Sequence, residues 1–296
     1  MANLKDISRQ IKSVKNTQKT TKAMKLVSSA KLRRTQQLAQ QAKSYANKIN
    51  EVLAEIASNL HKMKDDNLDL GRAFKTDNEV KIVDIIFVTA DKGLCGGFNM
   101  TTIREVRNLI KMYSSSGVQV RLRAAGRKGI DYFTFQNIVL SQKEIGVSSA
   151  PTYEKASHFI NEAFEDFNDE QTDKVVLVYN GFKNMLTQEL KVKTLLPIDM
   201  SSVSVQVSDS MMEIEPEDDE QDVLDELVKK YIEFNMFYSL IDSLSAEHSA
   251  RMQAMDNATN NAKQRVNDLT VQFNKARQAA ITTELIEIIS GVEALK

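Results

Sequence analysis

The chain has 296 residues and is 42% hydrophobic, enough for one large domain or two ordinary ones with a real core. Its 39 Lys and Arg balance 40 Asp and Glu, and a net charge of -1 excludes a chain that is basic overall, as a general binder of nucleic acid or anionic membrane would be. A single cysteine excludes an internal disulfide and a cysteine-based zinc cage, the three histidines form no HExxH pair, and no run reaches the roughly 18 apolar residues of a membrane span, so the chain reads as a soluble intracellular protein.

All ten glycines and all three prolines fall between Gly71 and Gly291, and residues 1–70 and 217–290 contain neither. Both residues break helices, so these two blocks predict very long helices, each roughly 90–110 Å at about 1.5 Å per residue. The first opens with Leu4, Ile7, Ile11 and Val14, spaced as the seam of a coiled coil. That seam weakens through TQKTTKAMKLVSSAKLRR and recovers at Leu38, Ala42, Tyr45, Ile49, Val52, Ile56 and Leu60. The last block repeats the spacing with Leu244, His248, Met252, Met255, Ala262, Val266, Leu269, Phe273, Ala276 and Ala280. Two narrow seams predict that the helices bury each other as an antiparallel coiled coil.

The middle alternates strands and helices. KIVDIIFVTA (81–90) is a strand ending in the loop DKGLCGGFN; a helix from Thr101 to about Tyr113 and the strand VQVRLRAA follow. After AGRKG come a short helix and a strand reaching about Leu140, then an amphipathic helix over 152–168, then the strands KVVLVYNGF and ELKVKTLLP. The pattern predicts a mainly parallel sheet, and the segments divide as 1–70, 71–210 and 211–296: helix, α/β domain, helix.

Charge follows the same plan. Residues 1–43 hold eleven Lys and Arg against Asp6 alone, and residues 205–226 hold ten acids and no base. The basic run around Lys12, Lys15, Lys19, Lys22 and Lys25 lacks the acidic partners of a self-sufficient solvent helix, which predicts an acidic surface around it. Catalytic motifs are missing. The Gly93–Gly97 loop is neither GxGxxG nor a P-loop, and both it and AGRKG read as structural turns. Cys95 reads as a buried apolar side chain, and His248 as a packed seam residue. The chain therefore reads as non-catalytic, with no metal and no cofactor.

IKSVKNTQKTTKAMKLVSSAKLRR (11–34), TADKGLCGGFN (89–99) and EHSARMQAMDNATNNAKQRVNDLTVQFNKARQAAITTELIEIISGVEAL (247–295) resemble, essentially end to end, the bacterial gamma subunit family of ATP synthase. The resemblance implies a coiled-coil rotor shaft with a Rossmann-like α/β domain at its side. The shaft turns inside three alpha and three beta subunits and stands on the c-subunit ring beside epsilon, coupling proton flow to ATP synthesis or hydrolysis. It implies Met24 and Arg251 near the lever segment of beta, Arg277 and Gln278 against its catch loop, and Thr282, Glu284 and Glu287 just beyond. Ile286 departs from the family, where many members carry Thr. Met212, Glu213 and Glu215 fall in the foot near the c ring and epsilon. The resemblance further implies a peripheral position on the cytoplasmic face of the bacterial inner membrane, within the F1 sector, without insertion into the bilayer and without nucleic acid. The paired cysteines of the chloroplast-type regulatory insertion are missing.

From another class comes the alternative of an RNA-binding protein with a basic helical arm. Such an arm interleaves aromatic residues with its basic ones for base stacking, and residues 1–44 contain no aromatic.

Overall fold

The computed structural model describes residues 4–62, 72–75, 79–198 and 220–293. Two helices dominate it: α1, Leu4–Lys62, of 59 residues, and α5, Glu220–Glu293, of 74. α5 runs through Gly291 without a break. One glycine costs a helix only about 1 kcal/mol, too little to end one this long. Two compact units result: Met1–Ser29 with Arg251–Lys296, and Ala30–Ala250.

The larger unit holds a five-stranded sheet in the order β3-β2-β1-β4-β5. Its strands are β1 (Ile82–Val88), β2 (Gln119–Ala125), β3 (Gln142–Glu144), β4 (Lys174–Phe182) and β5 (Gln188–Leu196). β1 pairs in parallel with β2 and β4, β2 in parallel with β3, and only the β4–β5 hairpin is antiparallel. The connecting helices are α2 (Phe98–Ser115), α3 (Arg127–Phe135) and α4 (Tyr153–Asn168). α3 begins inside AGRKG rather than after it, and the strand expected to reach Leu140 is a three-residue strand just beyond.

Alternation along β1 sorts the core into two faces. Val83, Ile85 and Phe87 join Ile103, Val106 and Phe133 of α2 and α3. Ile86 and Val88 join Phe159 and Ile160 of α4 and Val228, Ile232 and Met236 of α5. Within this unit the inward residues of α1 include Leu32, Thr35, Ala42 and Ala46, with Ile49 packed on the core. Leu38 and Tyr45, placed in the seam by the sequence reading, are 46% and 54% exposed. The buried positions beside them are Ala42 and Ala46, and Tyr45 lays its ring 4.3 Å from that of Phe234. Ile56 and Leu60 carry side chains outside the described residues.

A polar lock that the sequence reading missed crosses the sheet. Arg123, fully buried, binds Asp84 Oδ2 through Nε at 2.7 Å, Glu162 at 3.0 Å and Gln142 at 3.2 Å, and also Asp166. Arg121 shares Asp166 and reaches the other Asp84 oxygen at 3.2 Å. Burial works against the Arg123 charge, but the hydrogen bond to Asp84 and the surrounding carboxylates outweigh it and hold its pKa above the ordinary arginine value. One cluster thus ties β1, β2, β3 and α4 together.

Two lysines of β5 point at α5. Lys191 is 2.8 Å from Asp242, whereas Lys193 donates at 2.6 Å to the neutral Asn235 and stands 5.6 Å from the centre of the Tyr231 ring. Burial, and then the charge of Lys191, push the Lys193 ammonium down to about 8. The folded chain releases this proton near there, while an unfolded lysine keeps it to about 10.4, so stability rises with pH across that window. Between pH 7 and 9.5 the gain is on the order of 2 kcal/mol. Tyr179, Tyr231 and Tyr238, pushed up to about 12 by burial, titrate above it. Urea unfolding at the two pH values is expected to show this gain in the parent chain and not in Lys193→Met; an equal pH dependence in both refutes it.

Candidate functional site

In the smaller unit, Thr21 and Thr259 place their hydroxyls 2.8 Å apart, and Lys25 is 2.6 Å from Asp256. Rising numbers on α1 meet falling numbers on α5, so the helices are antiparallel. The stretch where the apolar seam weakens is still a seam: Gln18 is half-buried, and Thr21 and Ser28 are buried at the continuing 3-4 spacing. Each hydroxyl also has a carbonyl one turn back within reach, Gln18 for Thr21 and Met255 for Thr259. One donates across the seam while the other donates to its own turn, so neither is buried without a partner.

One position beyond Ile11, Val14, Gln18 and Thr21 stands a lysine. Lys12, Lys15, Lys19 and Lys22 are exposed and repeat the 3-4-3 spacing, so they form one stripe along α1. Lys25, predicted with them, is held by Asp256 instead. Met24 is half-buried, and Arg251 is only 8% exposed.

Carrying the register of Thr21 and Lys25 back to Leu4 sets the start of α1 opposite about residue 276 of α5. Phe273 and Ala276 are the last half-buried residues; from Arg277 to Val292 every residue is exposed. Ile281, Leu285, Ile286, Ile288, Ile289 and Val292 are each 53–61% exposed. At about 100° per residue they span an arc of about 160°. Gln278 and Thr282 lie within that arc, and the Thr282 hydroxyl bonds the Gln278 carbonyl at 2.9 Å. Arg277, Glu284 and Glu287 lie outside that arc, Arg277 just beyond its edge and Glu287 opposite its middle. Met212, Glu213, Glu215 and Leu295 lie outside the described residues.

The α/β loops offer little to a ligand. Cys95 is buried, as expected, and packs with Ala90, Phe98, Ala246 and Ala250. At AGRKG the backbone N–H groups are already used: Arg127 donates to Asp91 Oδ1 at 2.9 Å, Lys128 to the Ala90 carbonyl at 3.1 Å and Gly129 to Thr89 Oγ1 at 2.9 Å. Gly126 has φ +110, and a Cβ there would lie 1.9 Å from the Thr89 carbonyl oxygen, so this turn accepts glycine alone. Among the described residues no three His, Cys, Asp or Glu could hold a metal ion, and no helix is long and apolar enough to cross a membrane.

Residues 3–295 match the family model described as ATP synthase. The ATP synthase gamma chain of Aliarcobacter butzleri is 64% identical and that of Nitratiruptor sp. 59% identical, each over 296 residues and the whole of both chains. Among solved structures, a chain of the Euglena gracilis mitochondrial ATP synthase shares the fold with a TM-score of 0.68 at 17% identity, covering 99% of this chain and 94% of that one. A central stalk/c-ring structure of the Tetrahymena thermophila mitochondrial enzyme has a chain with a TM-score of 0.59 at 24% identity, covering 81% of this chain and 99% of that one. Identity this high over the full length of both chains goes well beyond a shared fold: the chain belongs to the ATP synthase gamma chain family.

Proposed function

We propose that this chain is the central rotor subunit of a proton-driven ATP synthase, non-catalytic in itself and carried on the cytoplasmic side of a bacterial inner membrane. In this reading the paired helices turn inside a ring of alpha and beta subunits. Torque from a c-subunit ring enters at a foot that includes Met212, Glu213 and Glu215, beside epsilon. The observation that carries the reading is the unpaired end of α5. Exposed apolar surface costs about 25 cal/mol per Å², and an arc of this size on a helix without a neighbour calls for a sleeve supplied by other subunits. Below it, Arg277 and Gln278 are proposed to contact beta at particular angles, with Thr282, Glu284 and Glu287 beyond them. Met24, with the small exposed part of Arg251, is proposed to face the lever segment of beta. The lysine stripe gives the shaft a long-range attraction for an acidic stator wall without fixing its angle.

Co-expression with the alpha and beta subunits tests this directly: a complex that survives high salt and hydrolyses ATP is expected, and failure to associate refutes the reading. Single exposed ion pairs contribute about 0–1 kcal/mol and are screened by salt. One Lys→Gln change in the stripe is therefore expected to do little. Lys12, Lys15, Lys19 and Lys22 changed together are expected to weaken assembly, most visibly at low ionic strength. Unaltered assembly of that four-fold variant removes the stripe from the account.

A further inference from the structure

Doubly wound sheets hold their ligands in the crevice at the carboxyl ends of the strands, where the winding reverses. In this sheet the reversal lies between β1 and β4, with β2 and β3 on one side and β5 on the other. That crevice is filled by α5. Asp242, Ala246 and Ala250 recur every four residues and so lie along one face of the helix. The Asp242 carboxylate accepts the backbone N–H of Phe182 at 3.0 Å and the Lys191 ammonium at 2.8 Å. Ala246 and Ala250 pack on Ala90 at the end of β1, Cys95 in the glycine loop and Phe98 in the first turn of α2. The Ser249 hydroxyl donates to the Met185 carbonyl in the β4–β5 hairpin at 3.0 Å. The fit depends on small groups, since a Cβ on Gly181 would meet Asp242 Oδ2 at 2.6 Å. Asn180 completes the crevice wall by donating to the Phe98 carbonyl at 2.7 Å.

We propose that residues 242–250 of α5 are the built-in ligand of this crevice, with Asp242 in the place of a ligand's anionic group, and that the crevice stays closed on α5 throughout turnover. The sheet is then a handle fixed to one stretch of helix rather than a nucleotide site. This explains why its loops carry no phosphate motif and why the N–H groups of AGRKG are bonded internally.

Ala246→Cys and Ala250→Cys, each paired with the native Cys95 in the full chain, test the occupancy. Mild oxidation or a short thiol-bridging reagent is expected to link Cys95 to one of the two in most molecules. In the unmodified folded chain, Cys95 is expected to label slowly with a thiol reagent, and Asp242→Ala to speed that labelling at least about tenfold by local opening. No link in either variant together with fast labelling of the unmodified chain overturns the proposal. The second arm rests on the rotor reading: complexes assembled with alpha and beta and then linked are expected to keep ATP turnover within about twofold of the reduced control. Turnover that stops on linking and returns on reduction overturns the permanent closure. The labelling and linking of the free chain do not depend on the rotor reading, so the two failures are distinguishable.

Discussion

Changing Arg277 and Gln278 together to alanine is expected to lower ATP turnover per assembled complex by about tenfold to a hundredfold, while deleting residues 288–296 leaves most turnover in place. Both residues sit on exposed helix just beyond the last half-buried positions, Phe273 and Ala276. A charge-assisted hydrogen bond contributes about 1.5–3 kcal/mol and has a direction, so it discriminates one rotor angle from another. The tip beyond has little such directionality. Ile288, Ile289 and Val292 lie on the apolar arc, and burying a side chain of this kind contributes about 1.5–3 kcal/mol whatever the angle. Losing the tip therefore loosens the complex without changing its preferred positions. ATPase rate per complex, with dissociation on dilution measured alongside, separates the two effects, and the reverse ranking refutes this division of roles.

Arg123→Ala is expected to destabilise the α/β domain by about 3–5 kcal/mol, because it leaves a buried Asp84 without its main counter-charge. Removing both charges, as in Asp84→Val with Arg123→Met, is expected to cost clearly less than the single change, since Arg121 keeps Asp166 as its partner. Urea denaturation of the two variants against the parent chain decides it. Additive costs in the double variant mean that the pair does not act as a unit.

What could be read ahead of the structure was what punctuation and periodicity control. Helix breakers confined to the middle of the chain placed α1 and α5, and β-branched runs between turn residues placed every strand but the short β3, which has only three residues to leave a pattern. The seam through 18–28 was missed because hydroxyls there satisfy themselves on the preceding turn and on each other, so a polar sequence makes a buried surface. Leu38 and Tyr45 were misplaced because hydrophobicity favoured them, whereas the residues buried there are the smaller Ala42 and Ala46. Arg123 and Asp84 did leave a signal, charged residues inside strands otherwise apolar, but their pairing is a matter of register: Asp84 lies opposite Arg121, one pleat from Arg123. Of the residues proposed to meet other subunits, Arg277 and Gln278 came only through the family resemblance, whereas the lysine stripe was visible in the sequence itself. Asp242 lay in neither, because its partners are a backbone N–H and a lysine more than fifty residues away.

The polar seam also bears on how the chain is made. α1 leaves the ribosome first, yet Thr21 meets Thr259 only across a separation of 238 residues, after everything between has been synthesised. A nascent helix waiting that long with a continuous leucine and isoleucine seam would pair with other copies of itself, the characteristic failure of exposed apolar surface during slow folding. Gln18, Thr21 and Ser28 keep the waiting strip wettable, and Thr21 and Lys25 meet their partners only when the late-arriving Thr259 hydroxyl and Asp256 carboxylate reach them. The weak seam is thus a form of patience: it gives up affinity for the wrong helix early so that the right one finds its place free at the end.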